Sequence, residues 1–339
     1  MAYAFSMKLI VTGGGGFVGK ALARKLRAQG HEVVAVARGA YPELENAGIT
    51  LARIDLGVES PELAAVFSGA AAVFHTAAKV DMWGVFQDFY QTNVLGTRHV
   101  IAACLKAGVG KLIFTSSPSV IADGTNLAGV DESYPYPRRY TAYYPQTKAM
   151  AEKEVLSANR EGELHTIALR PHLIFGPGDR NFIPTIIKRA HEGRLVQVGP
   201  GDNLTDLCFI DDCVQAHLLA LEALDKNPIC RGRAYFITQG EPVNLWQFIN
   251  QILKLHGLPP IKKKVPKQIA MLLAAAFELW SRLSPRHPEP LFTRFLVSQM
   301  TVDHYFNISR ARQDLSYRPS RSIKEAILES FGNRKLKTY

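Results

Sequence analysis

The chain has 339 residues, 47% of them hydrophobic, and a formal net charge of +10 at pH 7. This much apolar sequence excludes a largely disordered protein and allows one large domain with a second, smaller lobe. The four cysteines lack the spacing of a zinc site or a disulfide framework, so we expect no metal and a reducing, cytoplasmic setting. The N-terminal segment "MAYAFS" has no signal-peptide character. Since the basic residues are mostly dispersed, we expect no nucleic-acid partner.

Short β-branched runs alternate with helical patterns along the first two thirds of the chain. The predicted strands are "KLIVT" (8–12), "EVVAVA" (32–37), "ITLARI" (49–54), "AAVFHT" (71–76), "KLIFTS" (111–116) and "HTIALR" (165–170). Helical patterns cover 17–28, 86–107 and 145–157. Such alternation predicts an α/β fold in which a parallel sheet is doubly wound, as in the Rossmann fold.

The alternation ends after residue 170, where "PHLIFGPGDRNFIP" is rich in proline and glycine. We expect a smaller C-terminal substrate lobe to begin there. The later segments "DLCFIDDCVQAHLLALEAL" and "RAYFIT" predict one more helix and strand of the sheet, so the lobes interleave. The predicted dinucleotide-binding domain spans 7–170 with returning segments near 205–238, and the substrate-binding lobe spans 171–204 and 239–325.

The first strand is followed by a glycine-rich turn, "TGGGGFVGKALARKL". Gly13, Gly16 and Gly19 recur at intervals of three and open the first helix. Glycines allow the backbone to approach a pyrophosphate closely, and the helix N-terminus supplies amide donors. We therefore assign the cofactor loop to Gly13, Gly16, Phe17, Val18 and Gly19.

The residues at the end of the second strand indicate whether the cofactor is NAD or NADP. An NAD site usually has an acidic residue there for the ribose 2′-hydroxyl, whereas an arginine suits a 2′-phosphate. Here the strand ends in Ala37 and Arg38, and the next carboxylate is Glu43, which favours NADP(H). After the third strand, Asp55 with Leu56 is placed to contact the adenine, although Asp55 also suits a helix cap.

Tyr144 and Lys148 form the most distinctive pair of reactive residues. Their spacing of four puts both side chains on one face of a helix. A phenol has a pKa of about 10 and needs a stabilised anion to exchange protons near neutrality. Lys148 supplies a positive charge for this purpose. Tyr143 has no lysine at that spacing.

The fifth strand ends in "FTSSPSV", which carries hydroxyl groups to the carboxyl edge of the sheet, where open α/β folds bind ligands. A hydroxyl there can hold a substrate carbonyl oxygen while Tyr144 donates a proton. We expect Ser117 to take this role and Ser116 to be a turn residue.

These motifs together resemble the extended short-chain dehydrogenase/reductase superfamily, and within it the 3β-hydroxysteroid dehydrogenase branch. The resemblance covers nearly the whole chain. It rests on the glycine loop, "HTAA" (75–78), "NVLGT" (93–97), "FTSSPSV" (114–120), the Tyr144 and Lys148 pair, "LRPHLIFGPGD" (169–179) and "FNISRARQDLSYRPS" (306–320).

The resemblance implies a role for each matched residue. Tyr144 is the expected acid or base, Lys148 lowers its pKa and binds the nicotinamide ribose, and Ser117 binds the substrate oxygen. Further expected cofactor-binding residues are Ala77, Ala78, Lys79, Asn93, Lys148, Pro171 and Leu173. Asn93 is expected to be structural, and His172 to have a packing role. The resemblance also implies a homodimer that pairs through the helices near 86–107 and 145–157.

At several positions this chain differs from related enzymes, and these differences argue against some reactions of the superfamily. Dehydratases of this superfamily have an acidic pair after the active-site hydroxyl, but here Pro118 and Ser119 follow Ser117. Nucleotide-sugar epimerases usually have an arginine where this chain has Thr205. The apolar C-terminal segments instead suit a lipid-like substrate. The chain resembles the reductases of bacterial olefin biosynthesis, and this resemblance implies NADPH-dependent reduction of a long-chain 2-alkyl-3-oxoalkanoic acid to its 3-hydroxy acid. The alternatives are an NAD-dependent 3β-hydroxysteroid or sterol dehydrogenase and a non-catalytic NADP(H)-sensing protein.

Segment 262–283 combines a lysine cluster with the apolar stretch "IAMLLAAAFELWSRL". The apolar run is broken by Glu278 and is shorter than the about 20 residues needed to span a bilayer. We expect a buried or interfacial helix that can contact a membrane surface or a partner enzyme.

Overall fold

The computed structural model describes residues 6–284 and 288–331. The signal-peptide prediction rests mainly on residues 1–5, which lie outside the described residues. In chain order the strands are β1 (Lys8–Thr12), β2 (Glu32–Ala37), β3 (Thr50–Arg53), β4 (Ala72–His75), β5 (Lys111–Thr115), β6 (Leu127–Val130), β7 (His165–Pro171), β8 (Ile174–Phe175), β9 (Gln197–Val198), β10 (Leu204–Thr205), β11 (Cys208–Phe209), β12 (Arg233–Ile237), β13 (Val243–Asn244), β14 (Lys264–Val265) and β15 (His304–Phe306).

The α-helices of the described residues are α1 (Phe17–Ala28), α2 (Pro42–Glu45), α3 (Glu62–Phe67), α4 (Phe86–Phe89), α5 (Gly96–Ala107), α6 (Tyr143–Ser157), α7 (Phe182–His191), α8 (Ile210–Lys226), α9 (Leu245–Leu255), α10 (Lys267–Leu283), α11 (Arg294–Gln299), α12 (Ser309–Asp314) and α13 (Ile323–Phe331). A π-helical segment (Tyr90–Leu95) and two 3-10 turns (Pro118–Ile121 and Pro228–Cys230) complete the set.

Seven parallel strands form the central sheet, in the order β12-β7-β5-β4-β1-β2-β3. This confirms the predicted α/β fold with a Rossmann-like sheet. The strand order reverses between β1 and β4, and ligands of open α/β sheets bind at the carboxyl ends of strands beside such a reversal. The topology therefore points to the loops that follow β1 and β4.

The two faces of the sheet bury separate apolar layers, because successive side chains of a strand point to opposite faces. In β1, Leu9 and Val11 join a core with α1 and α8, whereas Ile10 joins a second core with α3, α5 and α6. All three side chains are fully buried. Burial on both sides explains why the strands are apolar throughout rather than alternating.

The predicted helix at 86–107 is interrupted by a different backbone geometry. α4 and α5 are joined through the π-helical segment Tyr90–Leu95. An extra residue in a helical turn changes the direction of the side chains that follow, and such bulges occur often at functional sites. The interruption carries Asn93, one of the predicted cofactor-site residues.

A smaller four-stranded sheet has the order β13-β10-β15-β6. Its strand β6 comes from within 7–170, while its other strands come from later segments, so the chain crosses between the sheets several times. β12 and α8 return to the main sheet. The exact domain boundaries stay a prediction, as does the homodimer.

Within residues 6–284 and 288–331, no helix is both long and apolar enough to cross a membrane.

Candidate active site

The glycine loop is shaped by close contacts between backbone segments. Gly13 has a left-handed φ of 69°, and a Cβ atom on it would lie 2.6 Å from the amide nitrogen of Ala77. A Cβ on Gly19 would lie 2.3 Å from the carbonyl oxygen of Gly13. Both positions exclude any larger side chain, whereas Gly16 is exposed and caps α1 without a side-chain hydrogen bond. The first amides of α1 are therefore available to an anion.

The turn after β1 lies directly against the turn after β4. The hydroxyl group of Thr76 donates to the carbonyl oxygen of Thr12 at 2.7 Å. Ala77, Ala78 and Lys79 continue this second turn and are half-buried. The predicted pyrophosphate loop and the predicted cofactor-binding residues 77–79 thus meet at the reversal of strand order, where open α/β sheets bind their ligands.

The helix that follows the loop contributes two predicted cofactor residues. Phe17 and Val18, the first residues of α1, are half-buried beside the loop. The ring of Phe17 also faces the turn at Gly178, since a Cβ there would lie 3.7 Å from the ring. Segment 176–180 thus closes one side of the glycine loop.

Residues predicted for the adenosine end lie at the ends of β2 and β3. Arg38 directly follows β2 and is exposed. Asp55 is also exposed, and its Oδ1 accepts from the amide of Gly57 at 2.9 Å, so one of its oxygens serves a turn. Leu56 is buried, and its carbonyl oxygen contacts Nδ1 of His99 at 2.7 Å.

Tyr144 and Lys148 occupy the first turns of α6. The helix begins at Tyr143, one residue before Tyr144 and two before Pro145. Lys148 is almost completely buried, and its ammonium donates to the carbonyl oxygen of Thr115 at 2.7 Å. Its nitrogen also lies 4.0 Å from the centroid of the Phe114 ring. The last residues of β5 therefore hold the lysine at the carboxyl edge of the sheet.

Ser117 begins the 3-10 turn that follows β5. Its Oγ accepts from the amide of Ser119 at 3.2 Å and from the hydroxyl of Ser119 at 3.0 Å. With both contacts accepting, the Ser117 proton is free to be donated. A hydrogen bond between Ser117 and Tyr144 also acts to lower the pKa of the phenol. In the ligand-free protein the single proton of Ser117 is thus directed to the oxygen of Tyr144, and a substrate carbonyl oxygen would accept it in place of the phenol.

Burial is the largest influence on the pKa values of Tyr144 and Lys148. Loss of solvent raises the pKa of Tyr144, and the contact with Ser117 opposes this shift. Loss of solvent lowers the pKa of Lys148 to about 7, against the opposing charge of Glu152. The phenol of the ligand-free protein is therefore protonated near neutral pH. The predicted lowering of the Tyr144 pKa by Lys148 stays a prediction.

A buried hydrogen-bond chain extends behind Lys148. The Thr115 side chain contacts Nε2 of His217 at 2.7 Å, and Nδ1 of His217 lies 2.7 Å from the Cys213 carbonyl oxygen. Because a carbonyl oxygen only accepts, Nδ1 carries the proton and Nε2 accepts from the Thr115 hydroxyl. Sequence reasoning missed His217, since the contact joins α8 to β5.

A buried ion pair supports α6 one turn after Lys148. Glu152 accepts from Nε and Nη2 of Arg170 at 2.9 and 2.7 Å, and from the hydroxyl of Tyr136 at 2.6 Å. Burial raises the pKa of Glu152, but the Arg170 guanidinium more than compensates and holds it below its usual value. Glu152 is thus a buried negative charge close to the lysine. Its i, i+4 spacing from Lys148 was a signal visible in the sequence.

Asn93 joins the loop after β4 to helix α6. Its Oδ1 accepts from the Lys79 amide at 2.7 Å, and its Nδ2 donates to the Lys79 carbonyl at 3.1 Å and to the Thr147 hydroxyl at 3.0 Å. The side chain is buried. These contacts fit the expected structural role, because Thr147 directly precedes Lys148.

His75 forms a second buried chain of hydrogen bonds between β1 and α5. Its ring nitrogens lie 2.7 Å from the Thr12 hydroxyl and 2.9 Å from the Thr97 hydroxyl, and Thr97 donates to the Asn93 carbonyl at 2.6 Å. Burial, and secondarily the charge of Lys148, lowers the pKa of His75 to about 3. The imidazole is therefore neutral and links the strand reversal to the π-helical segment.

Residues 171–173 form the end of β7 and the turn after it, at the same edge of the sheet. Pro171 is buried, and Leu173 has a left-handed φ of 37°, a conformation that costs energy for a branched residue. His172 is buried, lies 3.3 Å from the Thr205 hydroxyl and packs edge-on against Phe306. These contacts agree with packing rather than proton transfer.

The remaining predicted positions, Ser116, Thr205 and Tyr143, lie near the site. Ser116 is buried, and its amide donates to the Leu169 carbonyl oxygen at 2.6 Å, which continues the pairing of β5 with β7. Thr205 is fully buried in β10. Tyr143 points away from the pair and packs against the rings of Phe86 and Phe89.

The fold and the site define an extended short-chain dehydrogenase/reductase, an oxidoreductase that depends on a nicotinamide nucleotide. The sequence profile of the 3-beta hydroxysteroid dehydrogenase/isomerase family matches residues 10–267. The chain therefore belongs to the 3-beta hydroxysteroid dehydrogenase/isomerase family.

Curated relatives fall into two groups. A 2-alkyl-3-oxoalkanoate reductase of Stenotrophomonas maltophilia is 44% identical over 325 residues, covering 95% of this chain and 97% of its own. The enzyme of the same name from Shewanella oneidensis is 42% identical over 324 residues, covering 94% and 84%. A decarboxylating sterol-4-alpha-carboxylate 3-dehydrogenase of Mus musculus is 33% identical over 324 residues, covering 94% and 89%.

Solved structures agree on the fold. The crystal structure of gox2253 has a TM-score of 0.77 at 27% identity, covering 96% of this chain and 97% of its own. MoeE5 in complex with UDP-glucuronic acid and NAD has a TM-score of 0.73 at 26% identity, covering 96% and 98%.

Proposed function

We propose that this protein reduces the ketone of a long-chain 2-alkyl-3-oxoalkanoic acid to the 3-hydroxy acid with NADPH. The observation that carries the proposal is the convergence of Ser117, Tyr144 and Lys148 at the carboxyl edge of the sheet, beside the glycine loop. This set offers a hydrogen-bond donor, a proton donor and a positive charge to one carbonyl group.

The glycine loop and the loop after β4 provide the cofactor site. Gly13 and Gly19 leave no room for a Cβ atom because the turn, α1 and the loop after β4 pack closely there, while the exposed Gly16 lets a pyrophosphate approach the backbone. When bound there, the nicotinamide supplies the hydride. Lys148 is expected to contact its ribose, and Asn93 to hold the surrounding loop in position.

In the proposed mechanism, Ser117 and Tyr144 act on the substrate oxygen. Ser117 donates a hydrogen bond to the carbonyl oxygen, in place of its contact with Tyr144, and holds the carbonyl for attack. Tyr144 then transfers its phenolic proton to the oxygen as negative charge develops there. Burial raises the pKa of Tyr144, so the phenol carries the proton that reduction requires at neutral pH. The Lys148 ammonium stabilises the phenolate that remains.

The proposed preference for NADPH rests on the end of β2. Arg38 is exposed there, and Ala37 stands where NAD-dependent enzymes usually have an acid. An arginine presents a planar fork of donors suited to a 2′-phosphate. The MoeE5 structure contains NAD, so this preference separates our proposal from that neighbour.

The substrate class is supported by what the relatives' names have in common. The bacterial reductases act on 2-alkyl-3-oxoalkanoates, and the mouse enzyme is a dehydrogenase at carbon 3 of a sterol 4-carboxylate. In both names the carbon that bears the carboxylate adjoins the carbon that reacts. We take the shared substrate pattern to be a carboxylate next to the reacting centre, on an otherwise apolar molecule.

The test is to follow oxidation of NADPH and NADH by the purified protein, with two classes of ketone. One is a freshly prepared 2-alkyl-3-oxo acid with two long chains, and the other is a 3-ketosteroid. We expect turnover of the keto acid with NADPH in preference to NADH. Turnover of the steroid alone, with NADH, would instead assign the protein to the steroid dehydrogenases.

A non-catalytic NADP(H)-sensing protein is the other alternative. It predicts tight NADPH binding without turnover of any ketone. The intact set of Ser117, Tyr144 and Lys148 argues against it, because a sensor has no need of a proton donor beside the nicotinamide.

A further inference from the structure

A cleft of about 320 Å³ opens beside the start of α6. Its walls come from four separate segments: the loop after β4, the loop before α6, the second half of α10 and the start of α11. The residues that define its chemistry are Trp83, Arg139, Tyr143, Arg282, Arg294 and Phe295. It is therefore an aromatic cleft with a concentration of guanidinium groups.

One of these charges is already neutralised. Glu278 is buried and accepts from the backbone amide and from Nε of Arg294 at 2.7 and 2.8 Å. The pair bridges α10 and α11. Because one carboxylate compensates one guanidinium, the cleft keeps the positive charges of Arg139 and Arg282.

Arg282 and Arg139 differ in their contacts with the rest of the protein. The Arg282 guanidinium lies 5.7 Å from the centroid of the Trp83 ring, so it is oriented by a cation-π contact. Arg139 is exposed, and within residues 6–284 and 288–331 it has no hydrogen-bond or ion-pair partner. An arginine without a protein partner in a cleft is suited to an anion from outside.

We propose that this cleft binds the carboxylate of the substrate, with Arg139 as its principal ligand and Arg282 contributing positive charge. This inference rests on the proposed function. An arginine matches the planar geometry of a carboxylate by two parallel hydrogen bonds. The aromatic walls, including Phe295, receive part of an alkyl chain.

The position of the cleft fits this role. Ala142 and Tyr143, which line it, directly precede Tyr144 in the chain. In a 3-oxo acid the carboxylate carbon is separated from the ketone carbon by a single carbon. A substrate whose ketone is at Tyr144 therefore has its carboxylate carbon only two bonds from the reacting carbon, so the ligand of the carboxylate must come from a wall beside Tyr144. The long side chain of Arg139 can approach it from the loop before α6.

The proposal predicts recognition of a free carboxylate, which can be measured without turnover. The probes are 2-decyldodecanoic acid, which lacks the 3-oxygen, and its methyl ester, each titrated by calorimetry into the protein with NADPH present. We expect the wild-type protein to bind the acid more tightly than the ester. Arg139→Gln should weaken binding of the acid about 10- to 100-fold, the value of a charged hydrogen bond, and leave the ester unchanged.

Arg138→Gln is the matched control, because Arg138 is also exposed and adjacent but does not line the cleft. It should bind the acid like the wild-type protein. Equal binding of acid and ester by the wild type, or equal losses in the two variants, would overturn the carboxylate site. If the acid binds as expected while the 3-oxo acid is not turned over, the proposed function fails and the binding site stands.

Discussion

The ammonium of Lys148 donates a hydrogen bond of 2.7 Å to the backbone carbonyl oxygen of Thr115, the last residue of β5. A carbonyl partner orients the lysine without neutralising it. The Thr115 hydroxyl is in turn oriented by His217 on α8. Helix α6 is thus connected through one strand residue to the opposite face of the sheet, which fixes the position of Lys148 before any ligand is bound.

Replacing Tyr144 with Phe should remove the proton donor while keeping the shape of the site. General acid catalysis contributes about 10²- to 10⁴-fold, so we expect kcat to fall by that factor. NADPH affinity, measured by quenching of protein fluorescence, should change little. Tyr305→Phe, in β15 of the smaller sheet, is the control and should keep normal turnover. Near-normal turnover by Tyr144→Phe would disprove the assignment.

The glycine loop should not accept even a methyl group at Gly19. A Cβ atom there meets the carbonyl oxygen of Gly13 at 2.3 Å, so Gly19→Ala must displace the backbone of the turn. We expect a loss of about 1–3 kcal/mol of stability and a large loss of NADPH binding. Gly110→Ala, where nothing lies within 4 Å of the added carbon, is the control for both measurements. Unchanged cofactor affinity in Gly19→Ala would argue against this loop as the pyrophosphate site.

The choice between NADPH and NADH should depend on Arg38. Arg38→Gln removes the group proposed to pair with the 2′-phosphate, and such charged hydrogen bonds correspond to about 10- to 100-fold in affinity. We expect the KM for NADPH to rise by that factor and the KM for NADH to stay constant. Arg318→Gln, at another exposed site, should change neither. An equal rise in the KM for NADPH and the KM for NADH would show that Arg38 does not bind the 2′-phosphate.

Asp206 should make stability depend on pH. Burial raises the pKa of this carboxyl to about 6, well above its value in an unfolded chain. Its stabilising contribution is therefore complete below the unfolded pKa of about 4 and is lost as the pH rises through 6. In Asp206→Asn the free energy of unfolding, measured with urea, should no longer fall between about pH 4 and pH 6. At pH 7 it should exceed that of the wild-type protein by roughly 3 kcal/mol. Exposed Asp202→Asn is the control, and an unchanged pH profile in Asp206→Asn would refute the prediction.

The outward face of α10 should bind an anionic lipid surface. Leu272, Trp280 and Leu283 are 73%, 60% and 77% exposed, and the exposed lysines 262–264 lie just before the helix. Apolar side chains at a membrane interface combined with basic residues favour anionic headgroups. We expect flotation with phosphatidylglycerol vesicles and not with phosphatidylcholine vesicles.

A Leu272→Ser, Leu283→Ser double variant should lose most of this vesicle binding. Leu328→Ser, on α13, removes a leucine that is 51% exposed and should have no effect. Absence of flotation by the wild-type protein would leave a partner enzyme as the expected contact of this segment.

Much of the fold follows from local patterns. Residues 17–28 form the predicted helix, and the seven apolar runs are strands of the central sheet, because helical periodicity and short β-branched runs are local patterns. The 86–107 pattern is helical as predicted, but its π-helical centre is not visible in the sequence. Apolar periodicity does not distinguish a helix with one extra residue in a turn.

The sequence by itself determined the glycine loop and the shared helix face of Tyr144 and Lys148, since both depend on short spacings along the chain. Only the tertiary structure decided that Lys148 bonds to Thr115, and that Arg139 and Arg282 face one cleft. These residues are far apart in the chain. Their meeting depends on how strands and helices pack across the whole sheet, and local periodicity does not encode it.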